Sequence, residues 1–365
     1  MTRRDLLRSA GLTAAAAAAG AAESAQPFPM GVNTYCLRAL QWNDDQLLNY
    51  AAEQKLDAIF LQDSLDPKTA DPEHWKVVRE SAQRLGLHLE TGGGGLWNND
   101  PEKNFAETVT KLRMNIRRAK AMGSPVVRCL IAGNRAALPK GPVDPVVEYV
   151  LRVLKEVRSQ VIDSRLKIAF EVHKDLQAWE YRLLIETAGP NYVGTYLDTG
   201  NPVFVMEDPM TTLEELGRYT LTVHLRDSVL YETKRGIAVQ WVPLGEGIID
   251  FPAFLRRLGE ITETTRAGVN VYIKPITGRP PEILPVFDRE HWERYPKARA
   301  ADFAKFLALA KRGEAYDKPM VIEDLAGVKT PPYYEAAIQH QQREHVERSL
   351  EYARKKLDLG RRWRV

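Results

Sequence analysis

Eight short apolar runs recur along the chain, each followed by a longer amphipathic or loop-like stretch, and this alternation limits the fold more than any other feature. The runs are MGVNTYC (30–36), DAIFLQ (57–62), LHLET (87–91), PVVRCLIAG (125–133), LKIAFEV (166–172), YVGTYLD (192–198), LTVHLRD (221–227) and GVNVYIKP (268–275). Between them lie helical patterns such as DPEHWKVVRESAQRLG and NFAETVTKLRMNIRRAKAMG, opened by Asp or Asn and closed by Gly, as helix caps require. Eight such β/α repeats in 365 residues predict a (β/α)8 TIM barrel in preference to an open doubly wound sheet. The glycines of ETGGGGLW (90–97) lack the G-x-G-x-x-G spacing of a dinucleotide-binding turn, so this stretch is expected to be a flexible loop after the third strand.

The first 26 residues differ from the rest: a basic start, an alanine-rich, weakly hydrophobic middle and small residues at the end. Arg3 and Arg4, followed by Asp5, Leu6 and Leu7, resemble a twin-arginine export signal, although Leu6 stands where Phe is more usual. An alanine-rich helix is the other reading. The export reading implies a periplasmic or extracytoplasmic protein that receives any cofactor before export and has no stable membrane insertion once the signal is removed. The barrel is then expected over 27–330 and a C-terminal helical extension over 331–365. The extension is strongly charged and is expected to pack outside the barrel or pair with another subunit in a homo-oligomer. His340 and His345 within it are five apart, not the same-face spacing of a metal pair, and are expected at the surface.

A hydrophobic content of 44% allows a large core, and a net charge of +3 supplies no electrostatic ground for a nucleic-acid partner. Cys36 and Cys129, each beside apolar residues, are expected as buried thiols.

In a TIM barrel the C-terminal strand ends build the active site. The fifth run ends in Glu171 and His173, the sixth in Asp198, the seventh carries His224, Arg226 and Asp227, and the eighth presents Lys274. Glu171, Asp198 and His224 lie on neighbouring staves and are expected to converge. Two carboxylates and an imidazole suit a divalent ion of the Mn, Mg, Co or Zn type.

FEVHKDL, YLDTGNP, VHLRDS, VQWVPLGEGIIDF and ITGRPPEILP together resemble the sugar phosphate isomerase/epimerase family of xylose-isomerase-like TIM barrels. The resemblance implies a metal held by Glu171, Asp198 and His224. The family's fourth ligand, a Glu, is replaced here by Lys274. It also implies proton abstraction next to a carbonyl through an enediolate, with Glu171 as base and Lys274 polarising the carbonyl or steadying the oxyanion. His173, Arg226 and Gln240 are then candidates for sugar hydroxyls, and Trp241 for stacking on a pyranose face. Loss of one carboxylate favours a one-base isomerisation of a free or oxidised sugar or glycoside. Elimination from a 3-oxo-glycoside is the lyase alternative, and a non-catalytic sugar-binding barrel is the other. The DNA-repair endonucleases that share this barrel need more strand-end histidines than are present. The stretch 276–300, rich in proline and aromatic residues, is expected to form an ordered loop over the barrel mouth.

Overall fold

The computed structural model describes residues 27–62, 66, 68–265, 268–318, 322–324 and 328–365; the expected export signal lies outside the described residues. Strands β1 (Met30–Asn33), β2 (Ala58–Gln62), β3 (His88–Gly95), β4 (Val126–Leu130), β5 (Lys167–Glu171), β6 (Val193–Asp198) and β7 (Thr220–Leu225) follow one another around a closed barrel. After a hairpin of β8 (Asp227–Thr233) and β9 (Gly236–Val242), the eighth stave, β10 (Val271–Ile273), pairs in parallel with β7 and β1 and closes the ring. A last strand, β11 (Glu282–Leu284), joins the hairpin in a three-stranded antiparallel sheet.

The staves form because their residues are buried on both faces, which suits continuous apolar runs in a parallel barrel. Outside, helices lay apolar stripes on the staves. In the helix Asp144–Asp163, Val146, Val150, Val153, Leu154, Val157 and Val161 are buried at three- and four-residue spacing. Each such burial contributes roughly 1.5–3 kcal/mol. Inside, Ala58, Phe60, Val126, Ala169, Tyr196 and Tyr272 pack together and plug the lumen. The barrel is therefore closed below its mouth, and the polar strand ends sit on an apolar floor. Cys36 and Cys129 are free and buried, as expected.

Three expectations change. The glycine-rich stretch is not a flexible loop: β3 runs through Gly95, with a register shift against β4 between Gly92 and Gly95. Gly92 has φ of +153°, and a Cβ there would lie 2.2 Å from the Arg128 carbonyl oxygen, so only glycine lets the two backbones approach. The seventh stave stops at Leu225, because Asp227 begins the hairpin. That turn is held by Asp227, whose carboxylate accepts the backbone N–H groups of Ser228, Gly245 and Gly247 at 2.9 Å each.

The terminal helix Pro332–Leu357 places Val346, Leu350 and Ala353 in the main core and packs against β10 and the turn after β1. This is the packing outside the barrel that its sequence suggested. His340 is exposed, but His345 is buried, with Nδ1 2.6 Å from Thr277 Oγ1. The helix turns that residue inward, onto the segment that follows the eighth stave. Among the described residues no helix is long and apolar enough to cross a membrane.

Candidate active site

Parallel pairing puts the strand ends of neighbouring staves at one level. Asp198 is in register with His224, and His224 with Tyr272, two residues before Lys274. Glu171, Asp198 and His224 therefore converge as expected, all fully buried, with ligand-type atoms within 4.8 Å of one another. Lys274 lies in their midst. Its Nζ donates to Glu171 Oε1, lies 3.5 Å from Asp198 Oδ2 and 3.3 Å from His224 Nδ1.

The other carboxylate oxygens are also engaged. Arg128, in the middle of β4, donates from Nε to Glu171 Oε2 at 2.5 Å, with Nη2 on the same oxygen. Arg226 Nη2 is 3.3 Å from Asp198 Oδ2 and its Nη1 donates to Asn201 Oδ1 at 3.1 Å. Burial alone would raise the Glu171 carboxyl, but Arg128, Lys274 and His224 outweigh it and hold it well below its ordinary 4.5. Asp198 is held down in the same way, by Arg226 and Lys274 against burial. Lys274 is lowered to about 8, by burial and then by Arg226. Its two carboxylate neighbours pull the other way and lose.

His224 is kept neutral by burial and by Lys274. Two donors compete for its tautomer, the Lys274 ammonium 3.3 Å from Nδ1 and, closer, Asn33 at the end of β1. The Asn33 Oδ1 accepts the Tyr35 N–H at 2.9 Å, which turns its Nδ2 toward His224 Nε2, 2.9 Å away. A neutral imidazole that accepts at Nε2 carries its hydrogen on Nδ1. That hydrogen faces Glu171 Oε1 and Asp198 Oδ2, each 3.6 Å away.

The donor types and their span match those of a divalent-metal site, and residues able to hold an ion are present. The charges do not fit one. Three cations, Arg128, Arg226 and Lys274, already face two carboxylates, and a dication would add two more positive charges to a buried cluster. The Lys274 ammonium also occupies the space between the donors.

Above the cluster opens a cavity of about 680 Å³. His173, Arg226, Gln240, Trp241 and Lys274 line it, together with Arg128, Lys174, Arg279 and Glu282. Glu171, Asp198 and His224 do not line it; they lie beneath Arg128, Arg226 and Lys274. His173 is neutral, lowered to about 3 mainly by burial, and its Nδ1 has no hydrogen-bond partner among the described residues. Gln240 is partly committed, since its Nε2 donates to the Arg279 carbonyl at 2.8 Å. The Trp241 ring lines the cavity and carries Arg226 at 4.4 Å and Lys174 at 4.9 Å from its centroid. The sequence reading missed Arg128, Asn33 and Arg279. A charged residue inside the apolar run PVVRCLIAG was the available signal for Arg128. A second acidic group, Asp44, Asp66 and His74, lines no part of this cavity. There His74 Nε2 is 2.9 Å from Asp44 Oδ2, and Asp66 accepts the backbone N–H groups of Asp44 and Lys68.

The eight-stave parallel barrel with polar strand ends defines the class of the protein. The chain belongs to the family described as xylose isomerase-like TIM barrel, which matches residues 48–283. Its structure is similar to that of D-psicose 3-epimerase solved in the presence of D-fructose, with a TM-score of 0.57 and 14% identity over 90% of this chain and 98% of that one. It is also similar to the IolI protein with a bound zinc atom, with a TM-score of 0.54 and 17% identity over 79% of this chain and 100% of that one. At these identities the likeness is one of fold. In sequence, 119 residues are 24% identical to the uncharacterized protein YihM of Escherichia coli (strain K12), covering 33% of this chain and 36% of that protein, so the match spans about a third of that relative.

Proposed function

We propose that the chain is a sugar isomerase/epimerase-like enzyme that moves a proton next to a carbonyl through an enediolate. The observation that carries this reading is a buried lysine–carboxylate pair, Lys274 and Glu171, at the floor of a cavity at the barrel mouth. The resemblance assigned the base to Glu171 and carbonyl polarisation to Lys274. The geometry supports the reverse assignment. Both oxygens of Glu171 are engaged and the residue does not reach the cavity, whereas Lys274 does. In its amine form Lys274 takes the proton from the carbon beside the carbonyl and returns it to the former carbonyl carbon, while the substrate's own hydroxyl proton passes to the former carbonyl oxygen. Glu171 stabilises the ammonium form in between. Arg128, fixed by its carboxylate partner Glu171, faces the oxygen on which negative charge develops. Elimination from a 3-oxo-glycoside would begin with the same proton removal and differs in the product.

A metal-dependent form of this chemistry has one observation in its favour, the convergence of Glu171, Asp198 and His224, and the zinc bound by the similar IolI protein is consistent with it. It requires Lys274 to leave the cluster. Elemental analysis of protein purified without chelator separates the two forms.

The enzyme reading is tested in deuterium oxide, by following loss of the proton next to the carbonyl in a panel of ketoses, aldoses and 3-oxo-glycosides by NMR. Exchange that depends on Lys274 supports it. Binding of these sugars without any exchange would favour a sugar-binding barrel.

A further inference from the structure

The substrate class can be taken further from the charges of the cavity, on the basis of the site proposed above. Arg128, Lys174, Arg226, Lys274 and Arg279 all line it. Against them stand Glu282 in the wall, paired with Lys174 at 3.0 Å, and Glu171 and Asp198 beneath the floor. At least one positive charge is left uncompensated, since four of these cations stand against three carboxylates even when Lys274 is in its amine form. A neutral sugar cannot discharge such a pocket.

Arg226 and Arg279 both line the cavity. Arg226 is 1% exposed; its Nη2 lies 3.3 Å from Asp198 Oδ2, and its Nε makes no hydrogen bond among the described residues. The Arg279 side chain lines the same cavity, and its backbone is held by Gln240 from one side. The segment before it is held by Thr277 on His345, and by the Asp324 N–H on the Gly278 carbonyl at 2.7 Å. The guanidinium on this wall is thus carried by a fixed loop. Planar forks of this kind match a carboxylate through two parallel hydrogen bonds.

We infer that the cavity takes a sugar acid, a uronate or related sugar carboxylate, with its carboxylate on the Arg226 and Arg279 wall and its carbonyl end toward Lys274. The carboxylate supplies the negative charge that the cationic cluster lacks. Arg226 is then a binding residue, and Gln240 positions Arg279.

The test is isothermal titration of the purified full chain with a panel of hexuronates, each beside its neutral hexose and its hexose 6-phosphate. At least one uronate should bind about tenfold or more tighter than its neutral hexose, as expected when charge-assisted hydrogen bonds are gained. That preference should shrink with added salt and fall in Arg279→Gln, whose loop position after the eighth stave leaves the barrel core untouched. Equal binding of hexose and uronate, tighter binding of the phosphates, or no binding of any uronate would overturn the inference. The deuterium exchange assay reads the other proposal separately. Exchange confined to neutral sugars removes the sugar-acid assignment and keeps the enzyme, whereas uronate binding without exchange does the opposite.

Discussion

Lys274 Nζ donates to Glu171 Oε1 across the barrel mouth, joining the ends of the eighth and fifth staves in a contact closed to solvent on the carboxylate side. In this contact a single ammonium stands among three groups whose spacing would otherwise suit a metal ion. The electrostatics of the site follow from that placement, and so do the first two predictions.

Lys274→Met keeps much of the side-chain length and removes the proton-carrying group. Turnover and solvent deuterium exchange should fall by about 10³-fold, within the range for loss of a general base. Glu171→Gln should cost less, because Arg128 and the cavity wall remain. Rates of the two variants, with melting curves to confirm folding, check the assignment. A larger loss in Glu171→Gln would return the role of base to that carboxylate.

Lys274→Glu replaces a cation with a carboxylate beside Glu171, Asp198 and His224. The cluster, with Arg128 and Arg226, then changes from one net positive charge to one net negative charge and gains a fourth donor. This variant should bind about one equivalent of Mn or Zn tightly, while the parent binds neither with comparable affinity. Titration calorimetry and elemental analysis measure both. Equal metal affinity would show that Lys274 does not occupy the ion's place.

Asn33 sets the hydrogen on His224. Nitrogen-15 NMR of the parent should show a neutral imidazole protonated at Nδ1. In Asn33→Asp, where a carboxylate faces Nε2, the hydrogen should move to Nε2 or the ring should become charged. An unchanged spectrum would mean that the Asn33 contact does not choose the tautomer.

Glu207 provides a pH test away from the cavity. It is 1% exposed, and both its oxygens accept the Ala178 N–H, at 3.0 and 2.9 Å. Burial raises its carboxyl from 4.5 to about 8, against that hydrogen bond and helped by nearby Glu180. A raised carboxyl favours the protonated folded state, so its stabilisation is complete below 4.5 and is lost as pH rises through about 8. The parent's melting temperature should therefore fall between pH 5 and 9, and Glu207→Gln should fall less over the same interval. Parallel curves would exclude Glu207 as the cause.

Export is tested by replacing Arg3 and Arg4 together with Lys. The precursor should then remain in the cytoplasm while the parent chain is exported, read by fractionation and immunoblot. Export of both would point to another route.

The alternation of apolar runs and capped helices was enough to predict the barrel, and the seventh and eighth runs located their staves while overestimating their ends. The reason is local. A stave buried on both faces must be apolar throughout, and this shows in sequence, but where it stops depends on the next partner. Asp227 left the barrel because the Gly245 and Gly247 amides, nearly twenty residues further on, bind its carboxylate. The glycine stretch was misread because the need for glycine comes from the Arg128 backbone on another strand.

From sequence alone, Glu171, Asp198, His224 and Lys274 could be placed on one rim, because parallel staves bring their C-terminal ends to the same mouth whatever the loops do. Tertiary structure alone decided what these groups do to one another. Asn33 and His224 are 191 residues apart, and Glu171 and Lys274 are 103 apart. Neither pairing has a local pattern to announce it. Whether a lysine beside two carboxylates repels a metal, holds a proton or faces a substrate depends on distances of a few ångströms, and only the closing of the barrel sets those distances.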